Sequence, residues 1–225
     1  MRCDLTRTNR VDPERGHVAE YRWRGRDIGI CDSARNVVAV VSSFDGPDQA
    51  WRAVTEKLFL DFDNEAVLAA ACEPGSLEDN ISDLVCSALW DVCGLDATPD
   101  RRHSPEWEEP RFSWTQDAHR IRASLLAAYG LDWDECADRM SFADMCGLLA
   151  SLMETTSPTP FQQAVIYRGE APEHVRKSDG AMESWRACAA HYALEDEGGE
   201  GDAMRAADAA MADMFAAARR AAGRG

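Results

Sequence analysis

The pattern of apolar and polar positions divides the chain into a short β region followed by a series of helices. Glu20-Tyr21-Arg22-Trp23-Arg24 alternates charged and aromatic residues, the period of a half-buried strand, and Arg26-Asp27-Ile28-Gly29-Ile30 resumes it. The two runs predict a β-hairpin turning near Gly25, which must pack on helices because two strands alone are marginal. Val37, Val40, Val41 and Phe44 then fall at i, i+3, i+4 and i+7. This is a helical stripe that Asp32 or Ser33 caps, although its β-branched content makes a strand the alternative. Phe44-Asp45-Gly46-Pro47 breaks the pattern, and Trp51, Val54 and Leu58 form the next stripe. A short helix is expected over 64–72, ending near Pro74-Gly75. Ser76 caps a longer one carrying Leu77, Ile81, Leu84, Ala88 and Val92, which Gly94 closes.

Residues 95–112 hold three prolines and no period, so they read as a surface loop. The most regular part of the chain follows, from Ser113 to Arg168. Ser113 with Gln116 three residues on is a capping-box signature, and Trp114, Ala118, Ile121, Leu125 and Tyr129 then share one face up to Gly130. Ser141 with Asp144 repeats the start signal ahead of Phe142, Met145, Leu149 and Leu152, and Thr159-Pro160 opens a third segment with Phe161 and Val165. Three helices with short connections predict a compact helical unit. A polar stretch leads to a helix over 181–194 with Met182, Trp185, Ala189 and Tyr192 aligned. The expected organisation is a mobile polar tail over 1–18, a mainly α domain with an N-terminal β-hairpin over 19–195, an acidic glycine-rich linker over 196–201, and an appended helix over 202–225.

Asp117 breaks the pattern of its helix. It lies three residues after Trp114 and four before Ile121, on the apolar face, where a carboxylate is rare unless paired. Arg168, or backbone donors at the helix start near Ser141, are its expected partners, so Asp117 and Arg168 are read as a buried polar anchor. Beyond the linker, Met204, Ala207, Met211, Met214 and Ala218 recur at spacings of three and four, a heptad-like seam. Met adapts to irregular surfaces, so Met204, Met211, Met214 and Phe215 are candidate partner-binding residues. Docking on the same chain and self-association stay open beside partner capture.

Charge narrows the function classes. The net charge is −16 over 225 residues, and residues 1–30 hold seven Arg against five Asp or Glu, so the rest of the chain carries −18. Such a surface repels nucleic-acid phosphates, which cationic side chains must neutralise, so nucleic acid is disfavoured as a partner. No apolar run is long enough to span a membrane, and the N-terminal residues lack the apolar core of a secretory signal. The eight cysteines are scattered without CxxC or Cys/His boxes, which fits free thiols in a reducing cytoplasm. No Walker, GxGxxG, GxSxG, HExxH or EF-hand pattern occurs, and the five histidines have no metal-ligand spacing. No cofactor, metal or catalytic residue is therefore assigned. A Cys- or carboxylate-based enzyme stays open, because such residues need not be neighbours in sequence.

One resemblance gives function a direction. Asp117-Ala118, Tyr129-Gly130-Leu131-Asp132, Leu148-Leu149 and Ile166-Tyr167-Arg168 occur in an order and spacing that resembles the signature of a phage tail-module family named after gene product fifteen. The upstream strand-turn pattern and His191-Tyr192-Ala193-Leu194 also fit, so the resemblance covers about residues 20–195. Where members of that family carry a Trp pair before Leu-Leu, this chain has Ser141-Phe142 and Met145-Cys146. The resemblance implies a helical, non-enzymatic tail assembly chaperone in the cytoplasm of a bacterial host. Its implied partner is the tape measure protein, together with tail tube subunits or an upstream tail chaperone. A structural tail or adaptor component retained in the virion is the alternative.

Overall fold

The computed structural model describes residues 10–42, 51–95 and 111–194. Its β region is larger than a hairpin. Asp12 Oδ1 accepts from the backbone N–H groups of Glu14 and Arg15, each at 2.9 Å, an Asx-type turn. That turn folds β1 (Arg10–Asp12) back on β2 (Gly16–Trp23), and β3 (Arg26–Ile30) pairs with the other edge of β2. The result is an antiparallel meander of order β1-β2-β3. Over 10–18 this corrects the expectation of a mobile tail. Gly16 to Ala19 are all buried, so the alternation that announces a strand is missing there. Arg24 and Gly25 form the two-residue turn between β2 and β3, with φ of 46° and 86°, as a type I′ turn requires. The register Tyr21↔Ile28 and Ala19↔Ile30 gathers these side chains, with Trp23, into the core.

The described residues fall into two compact units, where a single domain over 19–195 is expected from sequence. The first contains the sheet, the helices up to Gly94, and the segment Asp134–Cys146. Ser33 caps α1 (Ala34–Val41) by accepting from Asn36 N–H at 3.3 Å, and Val37 and Val40 are fully buried, so the stripe is helical. A π-helical turn, α2 (Val54–Leu58), buries Val54 and Leu58. The chain after it covers the outer edge of β3, with Cys31 N–H donating to Leu58 at 2.7 Å and Leu60 N–H to Gly29 at 2.9 Å. Asp61 caps a π-helical stretch (Phe62–Val67) that runs into α3 (Leu68–Ala71), so this helix starts ahead of residue 64. Ser76 caps α4 (Leu77–Ala88), whose π-helical continuation (Leu89–Cys93) stops at Gly94. Leu84, Ala88 and Val92 are buried, but Leu77 is 43% exposed, because the first turn of α4 lies beyond the packed part of the stripe.

Residues 134–146 belong to this first unit through backbone bonds. His17 N–H donates to Asp138 at 2.7 Å, Ala34 N–H to Met140 at 2.8 Å, and Phe142 N–H to Asp32 at 2.7 Å. The stretch Ser113–Arg168 is therefore not one helical unit, as its periodicity suggests. Its middle is drawn out by backbone donors and acceptors that side-chain spacing does not encode.

The second unit contains 111–133 and 147–194. Its helices are α5 (Ala118–Tyr129), most of α7 (Phe142–Leu152), α8 (Pro160–Arg168), the one-turn α9 (Glu173–Arg176) and α10 (Asp179–Tyr192); the one-turn α6 (Trp133–Cys136) straddles the division. Ser113 Oγ does accept from Gln116 N–H, at 3.2 Å, but residues 114–117 form turns and α5 begins only at Ala118. Ala118 is exposed as a result, and the buried side of α5 is Ile121, Ser124 and Leu125.

The start of α8 satisfies every orphan donor of its first turn. Pro160 has none, Phe161 N–H donates to Ser124 Oγ at 3.0 Å, Gln162 N–H to Thr159 Oγ1 at 3.3 Å, and Gln163 N–H to the Thr159 carbonyl at 2.9 Å. The expected linker and C-terminal helix, 196–225, lie outside the described residues, as does the break at Phe44–Pro47.

Candidate functional site

Two buried polar clusters stand out, one in each unit. In the second unit Asp117 has no exposure at all, and four donors surround it. Oδ1 accepts from Arg120 at 2.7 Å and from Arg168 at 2.9 Å, and Oδ2 accepts from Ser113 N–H at 3.0 Å and from the other terminal nitrogen of Arg168 at 2.5 Å. Asp117, in place of Gln116, thus reaches back to the Ser113 N–H, one residue later than a capping box places its side chain. Arg168 in turn donates to the carbonyls of Arg111 at 3.1 Å and Tyr192 at 2.5 Å. One guanidinium therefore ties α8 to the start of α5, to the segment before it, and to the end of α10.

The electrostatics of this cluster decide its chemistry. Burial pushes the Asp117 carboxyl up, but the hydrogen bonds from Arg168, Ser113 N–H and Arg120 outweigh burial and hold it below the ordinary aspartate value. A general acid or base at neutral pH needs the opposite tuning and a free lone pair. Asp117 has neither, because all of its oxygen capacity is already used by the protein. The arrangement is an anchor. Of the partners expected from sequence it pairs with Arg168 and not with the helix start at Ser141, whose hydroxyl instead donates to Asp144 at 2.7 Å.

In the first unit His17 and Asp32 are 3% and 1% exposed and meet at 2.5 Å, His17 Nδ1 to Asp32 Oδ1. Both also hold the 134–146 segment through their backbones. A carboxylate orienting an imidazole is the geometry of a general base, but a base must reach a reacting proton. His17 Nε2 is buried without a hydrogen-bond partner among the described residues. The neighbouring hydroxyls are committed elsewhere, Ser33 Oγ to Asn36 N–H and Ser141 Oγ to Asp144. Neither serine is a nucleophile poised on this histidine. The sequence assigns His17 no role and offers Asp32 only as a helix cap, a place that Ser33 takes. The signal that locates them is the turn Asp12-Pro13-Glu14-Arg15-Gly16, which marks a hairpin ahead of His17.

Burial is the largest influence on Cys31, Cys146 and Tyr21. Cys31 is pushed up to about 11 by burial, as is Cys146, and all seven cysteines among the described residues are free thiols. Tyr21 is pushed up to about 12, first by burial and then by its bond to Asp91 at 3.0 Å. Among the described residues no group of three or more His, Cys, Asp or Glu side chains is placed to hold a metal ion, and no helix is long and apolar enough to cross a membrane. The partner-binding candidates Met204, Met211, Met214 and Phe215 lie outside the described residues. The chain matches no family model, no curated protein and no solved structure.

Proposed function

We propose that this chain is a non-enzymatic tail assembly chaperone of a phage or prophage, acting in the host cytoplasm and binding the tape measure protein while the tail is built. The observation that carries the reading is the Asp117–Arg168 pair. The first and last elements of the family-like stretch, Asp117-Ala118 and Ile166-Tyr167-Arg168, meet in a two-pronged ion pair buried in the second unit. Residues that define a signature by locking a fold, with no lone pair left for a substrate, suit a binding scaffold better than a catalyst. The charge of −16 suits the task as well, since a long helical partner with apolar patches stays soluble when an acidic protein covers them.

Co-expression with a tape measure protein from the same phage or prophage tests this reading, using the full chain and a chain lacking residues 202–225. The full chain is expected to copurify with the tape measure protein and raise its soluble fraction, and the truncation to weaken both effects. Failure of both forms to associate overturns the proposal. Mass spectrometry of purified particles separates a chaperone, which is absent or scarce there, from a tail or adaptor component retained in the virion.

A further inference from the structure

Helix α10 is attached to the second unit differently from its neighbours. It is 14 residues long, yet none of them is buried. Its inward side, Met182, Trp185, Cys188, Ala189 and Tyr192, is only half-buried. By contrast α5 and α8 share a dry contact built from Ile121, Leu125, Phe161 and Ala164, each at most 3% exposed, and fixed by the Ser124–Phe161 hydrogen bond. The free energy of separating two elements scales with the apolar area that returns to water, so α10 separates at a much lower cost than α5 from α8.

The contacts that do hold α10 converge on its last residue. The Tyr192 ring stacks on Tyr167 at 5.6 Å with the planes 3° apart, and the Arg120 guanidinium lies 5.4 Å from its centroid. The Tyr192 hydroxyl donates to Gln163 Oε1 at 3.1 Å, and its carbonyl accepts from Arg168 Nε at 2.5 Å. The rest of α10 adds an aromatic contact, Trp185 to Tyr167 at 4.8 Å, and a side-chain hydrogen bond between Cys188 and Tyr167. Between α8 and α10 the chain leaves Gly169 in extended backbone and passes through Pro172 and the single turn of α9, an arrangement with few bonds to break.

We infer that α9 and α10 form a detachable strap, clasped at Tyr192, which lifts from α8 while α5 and α8 stay packed. Lifting uncovers the Tyr167 ring and one side of the Arg168–Asp117 pair, and it leaves the anchor itself intact, because Asp117, Arg120 and Ser113 do not belong to the strap. The device follows from the packing alone and holds whichever partner the chain binds.

Hydrogen exchange of the full chain, followed by mass spectrometry, tests it. Peptides from α10 are expected to exchange about a hundred-fold faster than those from α5, reflecting local opening. Tyr192→Ala removes the stack, the cation–π contact and the Gln163 bond, and is expected to speed α10 exchange by about tenfold while α5 and α8 stay within about twofold. Equal protection of α10 and α5 overturns the strap, as does a Tyr192→Ala effect that spreads to α5 and α8. If that variant fails to fold, Tyr192→Phe keeps the stack and loses only the Gln163 bond. It is then expected to raise α10 exchange by about threefold with α5 unmoved, and no rise, or a rise shared with α5, overturns the strap.

Discussion

The buried cluster of the second unit is over-satisfied, and that of the first unit is under-satisfied. Asp117 meets two guanidiniums and a backbone N–H, and Arg168 also holds two carbonyls, so removing either strands several groups. His17 and Asp32 make one side-chain bond to each other, and His17 Nε2 has no partner among the described residues. The difference matters because the cost of a buried polar group lies mostly in what its loss leaves unpaired. A private pair is replaceable by two apolar side chains, whereas a hub is not.

The largest effect that breaks or upholds this contrast is at Asp117. Asp117→Ala leaves Arg168 and Arg120 without their counter-charge, and the midpoint of urea unfolding should fall by the equivalent of about 3–5 kcal/mol. An unchanged midpoint would sink the anchor. In the other cluster, His17→Leu alone should cost about 3 kcal/mol by stranding Asp32, and adding Asp32→Leu should recover most of that loss. Leucine at both Asp117 and Arg168 should recover little, because Arg120 loses its counter-charge and the Ser113 N–H and the Arg111 and Tyr192 carbonyls lose these bonds. If both double replacements behave alike, the distinction between the clusters fails.

Gly16 comes next. Its φ is +78°, and a Cβ there would lie 2.6 Å from the Asp138 carbonyl and 3.2 Å from Ser33 Cβ. Gly16→Ala should therefore cost about 2 kcal/mol and loosen the 134–146 segment, read as faster hydrogen exchange at Ala34 and Phe142. Protection unchanged at both amides would contradict the close fit.

A smaller effect appears in acid. The folded state holds Asp117 below the ordinary aspartate value of 3.8, so its contribution to stability is complete above that value. The contribution is lost as the pH falls from there through the lower folded-state value, because the unfolded chain takes up the proton first. Asp117→Asn should remove this part of the acid slope from the stability curve, and a mutant with the same slope refutes the assignment. The smallest effect is on thiol labelling. Among the cysteines of the described residues, Cys72 is exposed and should react first with a maleimide, while Cys31, buried and pushed up to about 11, should react only on unfolding.

How much of this was legible depended on whether side chains or backbone carried the information. Helix starts at Ser33, Ser76, Ser141 and Thr159 are readable because a hydroxyl placed three residues before the N–H that donates to it is a local signal. Asp117 and Arg168 were readable as an anchor because a carboxylate on an apolar face demands a partner. Arg120, three residues on, is a further partner that the sequence reading did not name. The division into two units was not readable. The bonds from His17, Ala34 and Phe142 to the 134–146 segment join main-chain atoms, which every residue carries alike. β1 and the start of β2 escaped for a related reason, since Gly16 to Ala19 are buried on both faces and show no period.

The most direct measurement is a double-mutant cycle on Asp117 and Arg168, using Asp117→Ala, Arg168→Ala and the double variant in urea unfolding. A structural lock between the two ends of the family-like stretch predicts that the losses are strongly non-additive, with a coupling of about 2–3 kcal/mol. Losses that simply add, with a coupling under about 0.5 kcal/mol, would show that the two residues act independently and that the lock is not what this stretch is built around.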